Sequence, residues 1–323
     1  MLKEYIEQLM QKKDLTPQQC EAIINHIIDG ADPHQTAALL VLLHAKPETS
    51  DEIYGVVRAM HSHMIRVNFD KPAIDIVGTG GDGSNSVNIS TATSLLVASL
   101  GVNVAKHGNR SVSSRCGSAD ILESFGISTN MSASQAENML NELGFTFLYA
   151  PHFHPAMKSV KDLRKALRVR TIFNLIGPLL NPAQPEHYLM GVYDPRLLEP
   201  FADVLLKLNA KRSLVVHGNG LDELNCIGPN QVIEVTPEGK KAFTIDPKNY
   251  GLNYCTLEDL QGGDTQRNHQ LIMNVFQGEP SPITDTILLN AGVALNIVGF
   301  CNSIEDGICI ARLALQTSVS RCS

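Results

Sequence analysis

Apolar positions recur at helical spacing through the first 66 residues, with clear start and stop signals between the runs. Thr16-Pro17-Gln18-Gln19 puts Thr at an N-cap, Pro at N1 and Gln at N3, as a capping box requires, and Gly30 closes that helix. Asp32-Pro33 opens the next, and Ser50-Asp51-Glu52 opens one running towards Arg66. Such a block cannot bury all its apolar faces alone, so it packs on the rest of the chain or on a second copy. After Phe69 to Pro72 the pattern becomes short strands alternating with helices. Helices are expected at 119–125, 133–143, 197–208, 269–276, 285–298 and 304–315, a buried strand at 213–216 and a hairpin-like or edge β segment over 231–245. This alternation predicts an α/β fold: a small all-helical domain (1–69) and a larger α/β domain (70–323) with a mostly parallel central sheet covered on both faces.

The stretch 73–104 changes period twice. Ile74, Ile76 and Val77 form a brief apolar strand that stops at Gly78-Thr79-Gly80-Gly81-Asp82-Gly83. Leu95, Leu96, Val97 and Leu100 then follow helical spacing up to Gly101, and Val102 and Val104 begin a second strand. Strand, glycine loop, helix and strand bring loop amides and a helix N-terminus to one point, which suits an anion. Gly78, Gly80 and Gly83 satisfy G-x-G-x-x-G, so a dinucleotide site is one reading. Against it, the second strand ends in Lys106 and His107, where an NAD site needs an acid on the ribose hydroxyls. No Lys-Ser or Lys-Thr pair follows the loop, which excludes a Walker loop. Asp82 would repel a phosphate unless it met ribose hydroxyls or a cation, and a metal-bound phosphorylated sugar satisfies that condition. Asn88, Ser90 and Thr91 serve either as caps or as phosphate and metal ligands. The run 106–114, Lys-His-Gly-Asn-Arg-Ser-Val-Ser-Ser, follows the second strand and adds cations and hydroxyls at the same sheet edge.

Composition narrows the class. In 323 residues, 43% hydrophobic and 18% charged content describe an ordinary globular chain. A net charge of -7 argues against nonspecific nucleic-acid binding. No signal-peptide pattern and no run near the roughly 20 apolar residues of a membrane span is present, so a cytoplasmic protein is expected. Seven cysteines without a C-x-x-C pair predict reduced thiols rather than zinc or disulfides. Arg164 lies in a basic run, 158–165, of a kind that is mostly a solvated helix face. Asp222-Glu223 after a Gly-Asn-Gly turn could be exposed turn acids or, at a sheet edge, oxygen ligands for Mg²⁺. The pairs His61/His63 and His152/His154 lack a third ligand and are read as structural or surface residues.

Ordered blocks carry a resemblance: GTGGDG at 78–83, NIST at 88–91, KHGNRSVSS at 106–114, GSAD at 117–120, HPAMK at 154–158, RTIFNLIGPLLNP at 170–182 and GLDE at 220–223. The chain resembles the anthranilate phosphoribosyltransferase family, of the nucleoside phosphorylase-like class, over nearly its whole length. The resemblance implies a helical domain onto which a later segment near 170–190 returns, and homodimers formed through it. It implies transfer of the phosphoribosyl group of 5-phosphoribosyl 1-diphosphate to the amine of anthranilate, with Mg²⁺ as cofactor, in tryptophan biosynthesis. By the same resemblance Gly78, Gly81, Asp82, Ser86, Asn88, Ile89, Ser90, Thr91, Lys106, His107, Gly108, Asn109, Arg110, Ser111, Val112, Ser113, Ser114 and Ser118 surround the diphosphate and ribose. Lys106 and Asp82 take catalytic roles, Ser90, Asp222 and Glu223 ligate the metal, and Gly78, Asn109 and Arg164 contact anthranilate. Cys116, Phe153 and Asn225-Cys226 depart from the usual residues without removing a ligand. Pyrimidine nucleoside phosphorylases share the fold but pair the glycine loop with a different lysine-serine block. A non-catalytic nucleic-acid-binding relative would lack the phosphate and metal residues and carry a basic groove. Arg164→Ala should raise the Michaelis constant for anthranilate roughly 10 to 100-fold, the effect of losing one charge-assisted pair. An unchanged anthranilate dependence in steady-state assays would remove Arg164 from that role.

Overall fold

The structure, a computed structural model, describes residues 2–111 and 115–322, with side chains as far as 317. Four helices lead the chain: α1 (Leu2–Met10), α2 (Pro17–Ile28), α3 (Pro33–Ala45) and α4 (Ser50–Ser62). Their starts are set locally. Thr16 forms the capping box with Gln19, the Asp32 carboxylate accepts from the amides of His34 and Gln35, and Thr49 rather than Ser50 caps α4 through Glu52. Glu52 does more than cap. Fully buried, it accepts from the Leu15 amide (2.9 Å), the Thr49 amide (2.8 Å) and the Lys46 ammonium (2.9 Å), tying three chain segments to one carboxylate.

The remainder alternates: β1 (Ile74–Gly78), α5 (Ile89–Ser99), β2 (Val104–Gly108), α6 (Ser118–Ser124), α7 (Ala133–Leu143), β3 (Phe145–Tyr149), α8 (Ala150–Phe153), α9 (Lys158–Leu167) and α10 (Ile172–Leu175). It continues with β4 (His187–Gly191), α11 (Leu198–Lys207), β5 (Arg212–His217), the hairpin β6 (Asn230–Thr236) and β7 (Gly239–Ile245), then α12 (Thr265–Phe276), α13 (Pro282–Ile297) and α14 (Ile304–Cys322). The sheet runs β3-β2-β1-β4-β5-β6-β7, parallel from β3 to β5 and antiparallel at the β6–β7 edge. One large hydrophobic core joins α5, α13 and one sheet face, a second joins the helical layer, α10, α11 and the opposite face, and a smaller one gathers Val67, Ala105, Leu140, Leu148 and Phe153. Helix α13 is apolar nearly all round because it is enclosed on nearly all sides. The chain builds outwards from β1 to β2 and β3, then crosses back to β4 on the other side. The crevice beyond the carboxyl ends of β1 and β4 is therefore the topological switch point, the usual place for a ligand in such sheets.

One local expectation is corrected. Lys106, His107 and Gly108 lie within β2 rather than in the loop after it, and the Lys106 and His107 side chains are buried. A strand, β3, and a short helix, α8, occupy the span between the helices at 133–143 and 158–167.

Removing Glu52 leaves Lys46 with only the exposed Asp14 as a counter-charge and strips the Leu15 and Thr49 amides of their acceptor, so Glu52→Ala should lower the free energy of unfolding by about 3 kcal/mol. Urea titration reads this directly; a loss below about 1 kcal/mol would mean that the carboxylate is not the anchor described.

Candidate functional site at the switch point

Three strand ends and one turn make the site. Strand β1 ends at Gly78 and β4 at Gly191, in register with each other. Asp222, in the turn after β5, fills the space both glycines leave open. A Cβ at Gly78 would stand 2.2 Å from its carboxylate oxygen, and one at Gly191 would stand 1.5 Å from its carbonyl oxygen. Without a Cβ, the Gly80 amide can donate to Asp222 Oδ2 at 2.6 Å, and the amide of Ser90 donates to Glu223 Oε1 at 3.1 Å. The two acids named from sequence as far apart from the loop thus bind the backbone of the loop and of the first turn of α5.

Their electrostatics are unfavourable as they stand. Burial, then the nearby Asp82 carboxylate, pushes Asp222 up to about 7. Burial and both aspartates push Glu223 well above the usual carboxylate range, and its Oε2 has no hydrogen-bond partner. The cation coupled to both acids is Lys106, whose ammonium donates to the Ile76 carbonyl (2.6 Å) and Ser90 Oγ (3.3 Å) and sits beneath the loop rather than inside it. Burial lowers its pKa, while Asp75, Glu223 and Asp222 oppose that shift. Among the described residues no three His, Cys, Asp or Glu side chains converge on one metal position. Two buried like-charged carboxylates, one of them with an orphaned oxygen, nevertheless suit a divalent cation that draws its other oxygens from substrate phosphate and water, as Mg²⁺ does.

The other residues named from sequence take varied places. Asp82 closes a tight turn, accepting from the Ser84 amide and hydroxyl at 3.0 Å. Gly80, Gly81 and Gly83 all have positive φ, and the Gly81 carbonyl accepts from Arg170. Ser86 forms an isolated bridge with Gln261. Asn88 is the N-cap residue of α5 yet makes no side-chain cap. The side chains of Ile89 and Thr91 lie in the core, so only their backbones reach the loop side. Gly108 lies close against Phe147 and Ser118, and the Asn109 side chain accepts from the Arg110 amide. Arg110 pairs with Asp120 and Glu123, and Asp120 also holds the Ser111 and Gly117 amides, so this cation is tied to α6. Val112, Ser113 and Ser114 lie outside the described residues. Arg164, on α9, is half-buried with its pKa lowered by burial, and among the described residues no carboxylate pairs with it.

Some site neighbours were not singled out from sequence. Asp75, inside β1 between two isoleucines, is fully buried; it accepts from the His107 amide and from Asn181, and burial raises it to about 7. A charged residue within an apolar strand was the signal for it. His154, read from sequence as a structural or surface residue, is buried and lies edge-on to His107 with ring centroids 5.2 Å apart. His107 Nδ1 meets the Gly177 carbonyl at 3.1 Å and so carries the proton, leaving Nε2 unpartnered.

Similarity to known proteins defines the class first. Residues 3–64 match the helical bundle domain of a glycosyl transferase family, and residues 70–319 match its α/β domain. The chain is 42% identical to anthranilate phosphoribosyltransferase of Chlamydia caviae, over 98% of this chain and 92% of that protein. It is 41% identical to the Thermoanaerobacter sp. enzyme of the same name, over 99% and 96%. The crystal structure of anthranilate phosphoribosyltransferase from Thermus thermophilus superimposes with a TM-score of 0.91 at 39% identity, covering 98% of this chain and 96% of that one. The Saccharomyces cerevisiae enzyme in complex with PRPP and Mg gives 0.90 at 25% identity, covering 99% and 94%. The chain belongs to the anthranilate phosphoribosyltransferase family.

Burial holds His107 near 3 and His154 near 4, both below the usual 6.5. The unfolded chain takes up protons below 6.5 that the folded chain refuses. The associated stability is present above 6.5 and is lost as pH falls towards 4. His154→Gln should therefore lose less melting temperature than wild type between pH 7 and 5. Equal losses in parallel thermal scans would mean that the ring does not titrate as described.

Proposed function

We propose that this chain is an anthranilate phosphoribosyltransferase: it transfers the phosphoribosyl group of 5-phosphoribosyl 1-diphosphate to the amine of anthranilate. The products are N-(5-phosphoribosyl)anthranilate and pyrophosphate, a step of tryptophan biosynthesis. One observation carries the reading: Asp222 and Glu223, two acids raised first by burial and then by neighbouring carboxylates, are bonded directly to the glycine loop and the α5 N-terminus.

Breaking the bond from C1 to the diphosphate leaves negative charge on pyrophosphate and positive charge on the ribose ring. Loop amides and the start of α5 hold the phosphates, as helix N-termini hold anions. Lys106 acts from below, its charge setting the Ser90 hydroxyl and the potential at the loop floor. Ser90, Asp222 and Glu223 hold Mg²⁺, which when bound neutralises charge on the diphosphate. Gly78, Gly81, Asp82, Ser86, Asn88, the backbones of Ile89 and Thr91, His107, Gly108, Asn109, Arg110, Ser111 and Ser118 line the phosphoribosyl side. Arg164, a half-buried cation with no internal carboxylate among the described residues, pairs with the carboxylate of anthranilate, with Gly78 and Asn109 beside it. The amine attacks through a lone pair it already has, so positioning supplies much of the rate.

The domains divide at residues 69 and 70, with the segment near 170–190 belonging to the helical side. Two copies pair through the helical domain, whose Met10 and Val41 side chains stand exposed at 68% and 40%. The protein works in the cytoplasm; among the described residues no helix is long and apolar enough to cross a membrane.

Incubation with 5-phosphoribosyl 1-diphosphate, Mg²⁺ and anthranilate should remove the anthranilate fluorescence, and a folded sample that leaves it unchanged refutes the reading. Changing Asp222 to Asn and Glu223 to Gln together should cut turnover at least about 100-fold and shift the magnesium titration upwards. Superimposable titrations would exclude the pair as ligands.

A further inference from the structure

Asn88 belongs to a residue type that caps helices well, and it stands at the N-cap of α5, yet its side chain caps nothing. The reason lies on α12. Asn268, only 2% exposed, donates from Nδ2 to Asn88 Oδ1 at 2.9 Å. Asn88 Nδ2 in turn donates to the Cys116 carbonyl at 3.1 Å, at the foot of the loop that joins β2 to α6.

The direction of this relay is fixed at both ends by the backbone. The Gly263 amide can only donate, so the atom it meets at 2.8 Å must be Asn268 Oδ1, and Nδ2 must face Asn88. The Cys116 carbonyl can only accept, so Asn88 must face it with Nδ2 and turn Oδ1 to Asn268. Neither amide can flip without setting like groups against each other. The same strap reaches the glycine loop. The Gly262 amide donates to the Asn85 carbonyl (2.9 Å) and the Val87 amide to the Leu260 carbonyl (3.0 Å). A Cβ at Gly262 would stand 2.3 Å from Asn268 Oδ1, which explains glycine there.

Resting on the transferase reading, we propose that Asn268 is a positioning residue for the diphosphate. By engaging Asn88 Oδ1 it keeps that side chain from capping α5, leaves the Thr91 amide of the first turn uncapped beside the Ser90 amide that Glu223 holds, and pins Cys116, ahead of α6, to the start of α5. Asn268 touches neither substrate; it acts through Asn88.

Asn268→Asp tests this, because it keeps the acceptor for Gly263 while replacing the donor to Asn88 with an oxygen. It should raise the Michaelis constant for 5-phosphoribosyl 1-diphosphate roughly tenfold while that for anthranilate stays within about twofold, the scale of one lost buried hydrogen bond. Asn88→Ala should do the same, and the two changes combined should cost no more than Asn88→Ala alone. Where the aspartate variant fails to fold, Asn268→Ala, uncharged and smaller, gives the same readout. An unchanged diphosphate constant, equal rises for both substrates, or additive costs in the double variant would each overturn the inference. An active wild type with indifferent variants overturns the Asn268 role alone, whereas an inert wild type overturns the transferase reading and this inference with it.

Discussion

The site depends on a close approach that only glycine permits. Asp222 lies against the ends of β1 and β4, and Gly78 and Gly191 leave the volume into which its carboxylate and carbonyl fit. Side chains at those two positions would move the turn after β5 away from the glycine loop, and the Gly80 and Ser90 amides would lose the acids they bind. Everything else at the switch point is arranged around that contact. The loop takes its path from positive φ at Gly80, Gly81 and Gly83, and α5 starts where Glu223 accepts its second amide.

That contact brings together charges that do not balance. Asp82, Asp222 and Glu223 crowd one side, and Lys106 stands beneath with Asp75 behind it. Buried carboxylates raised in this way are destabilising until a cation and a polyanionic ligand complete the arrangement, which is how a site can hold binding energy in reserve for the charges of its substrate. The frame that tolerates this is stiff. Two separate cores grip the sheet from opposite faces, and the strap around Gly262 and Asn268 fixes the loop from outside.

Much of this was legible in the chain. Capping boxes at Thr16 and near Ser50, the helix stop at Gly30, the βαβ unit and the hairpin all rest on interactions within a few residues, so spacing and residue type suffice to read them. Lys106 and His107 were less readable. Polar residues at the end of an apolar run look like a loop, and they stay in β2 only because the Ile76 carbonyl, Ser90 and the Gly177 carbonyl satisfy them from elsewhere in the sequence. Thr49 displaced Ser50 as the cap for a smaller reason: Glu52 sits three residues after Thr49, at the N3 position the box requires.

By itself, then, the sequence determined the order of elements, the glycine loop, the basic run after it and the two distant acids, because each is written in local spacing and chemical type. The tertiary structure alone decided that Asp222 rests on Gly78 and Gly191, that Lys106 lies under the loop, that Arg110 pairs with α6 while Arg164 meets no carboxylate among the described residues, and that Asn268 holds Asn88. Those contacts join residues up to 180 positions apart. Their strength depends on burial, which no short stretch of chain can specify before the sheet has closed over it.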